Sequence, residues 1–202
     1  RLGADDSTLL PCAYGNPDAD THIVLAGDSH AAHWIPAVAE LAERSGIRVT
    51  TYTKNACPIA DVTVMRLRAP YAACRAWRRA LLDRLISDPP NVVLLGQSRS
   101  YAPIEQRADE TATQALQRGL TATYRQLVEA NVKVFFLADT PRTVRNTNQC
   151  LSMLGATLDE CSMEEVTTLD PIVLAKKELG GFVIQLTDDL CVQGRCRASE
   201  GP

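Results

Sequence analysis

Five short β-rich apolar runs alternate along this chain with segments of helical periodicity, and that alternation leaves few folds open. The first run, HIVLAGDS from His22, precedes AAHWIPAVAELAERSG (31–46), whose apolar residues recur at helical spacing and which meets a stop signal at Gly46. IRVTTYT (47–53) reads as the second strand, and CRAWRRALLDRLISD (74–88) as a helix ended by Pro89 and Pro90. NVVLLG (91–96) is apolar throughout, as befits a strand buried on both faces. A long helix is predicted over 109–130 and a fourth strand over KVFFLAD (133–139). MEEVTTLDPIVLAKKELGG (163–181) reads as a helix interrupted or restarted near Pro171, and FVIQLT (182–187) as the fifth strand. Strands alternating with helices of this length predict a parallel five-stranded sheet wrapped on both sides. At 202 residues the chain fits one domain, large enough to bury a substantial core without a metal. The stretch 142–162 is a long loop that its two cysteines are expected to tie down.

Charge narrows the function classes. A net charge of −3, with Lys and Arg dispersed among acids, gives no electrostatic grip on nucleic acid or an anionic membrane. RAWRR, from Arg75 to Arg79, reads as the solvated face of a helix. No apolar run approaches the roughly 18 residues a membrane span needs. The chain begins at Arg1 without a charged-then-apolar leader, so the expectation is a processed product or an excised domain.

Seven cysteines are many for a reducing compartment. Spacing groups six of them into local pairs, Cys57 with Cys74, Cys150 with Cys161 and Cys191 with Cys196, each flanking a loop. Metal binding is the competing reading, but there is no CxxC and no nearby His to complete a tetrahedral site, so no metal is expected. Disulfides imply an oxidising location outside the cytoplasmic membrane. Cys12 is left over, either pairing with sequence outside this chain or sitting as a buried thiol.

Parallel sheets bind ligands at the carboxyl ends of their strands, where the strand order reverses. Ser29 stands at that end of the first strand and at the start of the first helix. Its position suits a nucleophile, with helix N–H groups available for a developing oxyanion. The alternative is that Asp28 or Ser29 is the helix N-cap.

An ordered set of segments carries a family resemblance: LAGDSHAAHW, TKNACP (53–58), PYAAC (70–74), LADTPR (137–142), CL at Cys150 and LCVQGRC (190–196). Together they resemble the extracytoplasmic SGNH domain fused to acyltransferase family 3 membrane proteins, which O-acetylate cell-envelope glycans. The resemblance runs from about Cys12 onward. It implies a three-layer α/β/α flavodoxin-like fold, that of SGNH hydrolases, over a single domain spanning 1–202. It also implies a nucleophile at Ser29, with Asp28 beside it in the motif. An acyl group delivered by a fused or associated membrane module would be taken up on the serine and passed to a sugar hydroxyl. Location outside the cytoplasmic membrane, tethered by that module, follows, as does a monomeric isolated domain. No cofactor is expected, since there is neither a Gly-rich dinucleotide turn nor a Walker sequence.

The chain departs from the family pattern in two respects. The family's base belongs to a C-terminal Asp-x-x-His motif that these 202 residues do not contain. The expectation is a domain without that segment and with little esterase activity as it stands. Of the three histidines, His30 belongs to the GDSH pattern without being the expected base, and His33, four residues beyond Ser29, more naturally packs. His22 opens the first strand at the wrong end of the sheet. The family takes oxyanion donors from the serine N–H, a glycine after the second strand and an asparagine after the third. This chain has Lys54-Asn55-Ala56 and Gly96-Gln97-Ser98 there, so Asn55, Gly96 and Gln97 are the candidates. Asp139, Thr140 and Arg142 follow the fourth strand and either line the site or, for Asp139, cap the turn before Pro141. Two further readings stay open: a stand-alone carbohydrate acetylesterase, and a non-catalytic glycan-binding or docking module.

Overall fold

A computed structural model of the chain describes residues 5–144, 146–166 and 169–198. Two compact units make it up, Arg1–Asp139 with Asp170–Ile184, and Thr140–Leu169 with Gln185–Pro202.

The first unit is built on a six-stranded sheet: β1 (Cys12–Gly15), β2 (His22–Gly27), β3 (Arg48–Thr53), β4 (Val92–Gly96), β5 (Val134–Leu137) and β6 (Val183–Ile184). Their spatial order is β1-β3-β2-β4-β5-β6. The last five are mutually parallel and are the strands the apolar runs predict. An antiparallel edge strand, β1, adds a sixth to the expected five, with Cys12 opposite Thr51. Without β1, the order of the parallel strands is second, first, third, fourth, fifth, the flavodoxin-like arrangement. Its switch point lies between β2 and β4.

Alternation along the strands sends side chains to two helical layers. Leu25 and Val49 pack with Val38 and Ala42 of α1 (Ile35–Ser45), which a short 3-10 turn, Ala31–Trp34, leads into. Gly46 ends α1 in the left-handed conformation, φ 61°, and its N–H returns to the carbonyl of Ala42. Val24, Ala26, Val93, Leu95 and Phe136 face the other way. There they meet Trp77, Leu81 and Leu85 of α2 (Ala72–Ser87), Leu116, Leu120 and Leu127 of α3 (Ala112–Glu129), and Ile172 of α4 (Pro171–Leu174). Three layers result.

Two expectations are corrected in α2 and beyond. Arg75 and Arg79 are exposed, but Arg78 is buried and its Nη2 donates to Asp61 Oδ1 at 2.9 Å, so RAWRR is only partly a solvated face. Within 163–181 the helix is one turn long: Met163–Glu164 is a strand and only Pro171–Leu174 is α-helical, while residues 167 and 168 lie outside the described residues. Asp170 caps that turn by accepting the N–H of Ile172.

The second unit is held by cystines. Cys150–Cys161 joins the short helices Thr147–Leu151 and Leu158–Cys161, and both cysteines pack on Met163. Cys191–Cys196 closes a hairpin of Cys191–Val192 and Arg195–Cys196, to which Met163–Glu164 adds a third strand. In the first unit Cys57–Cys74 ties the loop after β3 to α2. All three expected pairs are formed. Cys12 is exposed, not the buried thiol that one alternative called for.

Candidate active site

Two glycines set the floor of the site. Gly27 ends β2 opposite Gly96 of β4, and Ala31 lies over both. A Cβ on Gly27 would stand 1.9 Å from the Gly96 carbonyl oxygen and 2.7 Å from the Ala31 Cβ, at a φ of 152°. Only glycine admits so close an approach of the turn to the sheet.

The turn that follows is fixed by Asp28, which is wholly buried. Its Oδ1 accepts the N–H groups of His30 (2.8 Å) and Ala31 (3.3 Å), and its carbonyl accepts the N–H of Ala32. Oδ2 accepts the Ser98 N–H at 2.8 Å and the Tyr101 hydroxyl at 2.5 Å, so one carboxylate joins the segments after β2 and β4. Burial, and then the charge and hydrogen bond of Asp28, push the Tyr101 phenol far above its usual range, which keeps it a donor. The carboxylate that holds the first N–H groups of the turn is therefore that of Asp28. The N-cap positions are His30 for the 3-10 turn and Trp34 for α1, so neither Asp28 nor Ser29 is the helix N-cap. Ser29, between these anchored neighbours, is exposed, and its side chain makes no hydrogen bond among the described residues.

His30 is half-buried, and its Nδ1 lies 2.5 Å from Oδ1 of Asp139, just past β5. Asp139 does not cap the turn before Pro141. Its Oδ2 accepts the Arg99 N–H at 2.9 Å, its carbonyl accepts Arg99 Nη2 at 2.8 Å, and its own N–H donates to Asp170 Oδ2 at 2.7 Å. Arg99 Nη2 is 3.9 Å from Asp170 Oδ2, so one buried guanidinium lies against two buried carboxylates. Burial pushes Asp139 up, but hydrogen bonds from His30 and the Arg99 N–H, aided by the charges of both, outweigh it and hold the carboxyl below its ordinary value. For Asp170 burial wins over the Ile172 and Asp139 N–H groups and the Arg99 charge, and its carboxyl is raised.

The structure thus gathers Asp28, Ser29 and His30 at the carboxyl end of β2 with Asp139 at that of β5. Gly96 ends β4 beside them, and Gln97 follows it. Gly96 faces Ala31, at 3.3 Å for a hypothetical Cβ. Gln97 is buried: its Oε1 accepts the Ala60 N–H at 2.9 Å, and its Nε2 has no partner among the described residues. Asn55, after β3, has an exposed side chain, and its carbonyl accepts from Arg66 and from the Tyr71 hydroxyl. His33 stacks on His30 with ring centroids 5.0 Å apart, and His22 bonds Thr50 at the far end of β2. Thr140 and Arg142 belong to the second unit. Among the described residues no group of His, Cys, Asp and Glu is arranged to hold a metal, and no helix is long and apolar enough to cross a membrane.

Sequence reasoning missed Arg99, Tyr101 and Asp170. The first two lie in GQSRSY at a strand's carboxyl end, where topology could have flagged them. Asp170 shows only the local signal of a cap before Pro171.

A family model described as the SGNH domain fused to AT3 domains matches residues 2–202, across both units. No curated protein sequence matches the chain. Among solved structures, the periplasmic domain of a lipopolysaccharide acetyltransferase from Salmonella ser. Paratyphi A is similar, with a TM-score of 0.67 and 17% identity over 91% of this chain and 73% of that one. At that identity the likeness is one of fold.

Proposed function

The chain belongs to the SGNH domains fused to AT3 domains, and from that membership we propose that it is the extracytoplasmic part of a membrane O-acyltransferase. Ser29 carries an acyl group, acetyl in the simplest case, from a donor supplied by the membrane module to a sugar hydroxyl of a cell-envelope glycan. In the first half-reaction Ser29 Oγ attacks the acyl carbonyl, an Oγ–C bond forms, and the donor's leaving group departs with the serine proton. In the second, the sugar oxygen attacks the same carbon, the Oγ–C bond breaks, and the sugar proton returns to Ser29.

The observation that carries this reading is the contrast at the switch point. Asp28 and His30 are each tied to segments after other strands, whereas Ser29 between them is exposed and is not the cap. A serine serving only to end a strand would gain nothing from such fixed flanks. The Ser29 N–H and those of the segments after β3 and β4, around Asn55 and Gly96, are the candidate donors to the oxyanion. The buried amide of Gln97 supports the shape of the second segment through Ala60. Three disulfides fit a location outside the cytoplasmic membrane. No metal or organic cofactor is required by this chemistry.

The test is trapping of the acyl-serine. An aryl acetate is mixed with the domain carrying its native C-terminal continuation, and mass mapping of the quenched protein should place one acetyl group on Ser29, absent in Ser29→Ala. Acetylation elsewhere, or none, contradicts the proposal.

A further inference from the structure

Attack on an acyl carbonyl moves negative charge to its oxygen, and N–H groups already held in place stabilise that charge best. The turn after β3 offers such groups, in a conformation that its own residues do not favour. We propose that Tyr71 and Arg66 are positioning residues for this turn: together they hold the Asn55 carbonyl, and so keep the Ala56 N–H available to the acyl oxygen on Ser29. The inference rests on Ser29 being the nucleophile.

Lys54 anchors the turn beside the site. Its N–H donates to the Gly27 carbonyl at 3.0 Å, two residues before Ser29, and its own carbonyl accepts the Cys57 N–H at 3.2 Å, which closes a four-residue turn. Within that turn Ala56 has a φ of 56°, the left-handed region that a Cβ disfavours. An alanine stays there only where its surroundings hold it. The Asn55 carbonyl accepts Arg66 Nη1 at 3.0 Å and the Tyr71 hydroxyl at 3.2 Å, and Arg66 Nη1 also donates to the Tyr71 oxygen at 3.2 Å. Two cations lie over the Tyr71 ring, Arg66 Cζ at 5.0 Å and Lys54 Nζ at 5.3 Å from its centroid. Lys54 and Tyr71 are buried, Lys54 Nζ donates to the Asp6 carbonyl, and Cys57–Cys74 ties the end of the turn to α2. In a planar trans peptide the N–H points opposite to the carbonyl. Holding the Asn55 carbonyl against Tyr71 and Arg66 therefore aims the Ala56 N–H away from them. Neither the Asn55 nor the Ala56 N–H makes a hydrogen bond among the described residues, and neither residue is buried.

The experiment is labelling of Ser29 by a fluorophosphonate in the domain carrying its native C-terminal continuation. An Oγ–P bond forms, the P–F bond breaks, fluoride and the serine proton leave, and the phosphonyl oxygen takes the place of the acyl oxygen. The rate is measured for the wild type, Tyr71→Phe, Arg66→Met, Ala56→Gly and the double variant Tyr71→Phe with Ala56→Gly, each checked for its three disulfides, and proton–nitrogen NMR follows the Ala56 amide. The proposal expects that amide to move downfield on labelling of the wild type, and each of Tyr71→Phe and Arg66→Met to label about tenfold more slowly. Glycine takes the left-handed conformation without a clamp, so the double variant should return to within about threefold of Ala56→Gly alone. A Ser29 that labels while the Ala56 amide stays in place, a wild-type rate in both folded single variants at Tyr71 and Arg66, or a double variant as slow as Tyr71→Phe overturns the inference and leaves Ser29 as nucleophile. Failure of the wild type to label at Ser29 overturns both.

Discussion

His30 Nδ1 and Asp139 Oδ1 lie 2.5 Å apart although 109 residues separate them in sequence. The contact joins the ends of β2 and β5, which are not neighbours in the sheet, across the segment that follows β4. Asp28 makes the shorter stitch, from β2 to the segment after β4. The two carboxylates fix the residues on either side of Ser29, and the predictions below follow from that arrangement.

Asp139 has a depressed pKa in the folded chain, so its contribution to stability is present above the ordinary carboxylate value and is lost as pH falls through the lower folded one. Asp139→Asn should cost about 3 kcal/mol or more at neutral pH, because it breaks a buried ionic cluster. The gap to wild type should narrow below about pH 4. Chemical denaturation between pH 7 and pH 3 checks this, and a gap independent of pH would count against the ionic account.

Arg99→Met leaves Asp139 and Asp170 buried together without their cation, and about 3–5 kcal/mol should be lost at neutral pH. Asp170 already has a raised pKa, so its ionised form is the unfavourable one and its penalty is relieved as pH falls through the folded value. The variant should therefore recover part of its deficit in mild acid. Thermal melts at pH 7 and pH 5 compare the two, and a deficit that grows on acidification contradicts the assignment.

Gly27→Ala forces a methyl into the Gly96 carbonyl and Ala31. The backbone of β2 or β4 must shift, which should cost about 3 kcal/mol and displace the Ser29 turn. Gly194, in a surface hairpin turn with open space around it, offers a contrast. Its φ of 77° makes alanine strained there too, at about 1 kcal/mol. Equal losses at the two positions would rule out the close approach as the cause.

Cys57–Cys74 closes a 17-residue separation between two buried side chains, and its loss in the double Cys→Ala variant should cost about 3 kcal/mol. Native alkylation should modify Cys12 alone among the seven cysteines, since it is exposed and the other six are paired. Peptide mapping without reductant reads both points. A second alkylated cysteine in the native chain would refute the pairing.

Local signals were legible in the sequence and distant ones were not. Gly46 marked the end of α1 because a left-handed cap is set by neighbouring residues. The cysteine pairs were legible because each closes a short loop. β1 escaped notice: CAYG is four residues long, exposed at its start, and a strand only because β3 offers an edge. The helix expected over 163–181 failed where Met163–Glu164 pairs with Arg195–Cys196, a tertiary demand that overrides local propensity. Ser29 and Asp28 were visible as a motif at a strand end. The division of labour between them was not, because the partners of Asp28 lie 70 and 73 residues away. His30, Arg99 and Asp170 likewise gain their meaning from Asp139, which only the folded sheet brings to them.

The most direct test of the account is the stability and the acyl-enzyme yield of Ser29→Ala against wild type, measured on the same preparations with an aryl acetate. Ser29 is exposed and the N–H groups of the turn are held by Asp28, so the variant should keep its stability within about 0.5 kcal/mol and lose the acetyl adduct completely. A variant that melts earlier by about 1–2 kcal/mol, in a chain whose wild type forms no adduct at Ser29, would show a helix cap instead of a nucleophile and contradict the central claim.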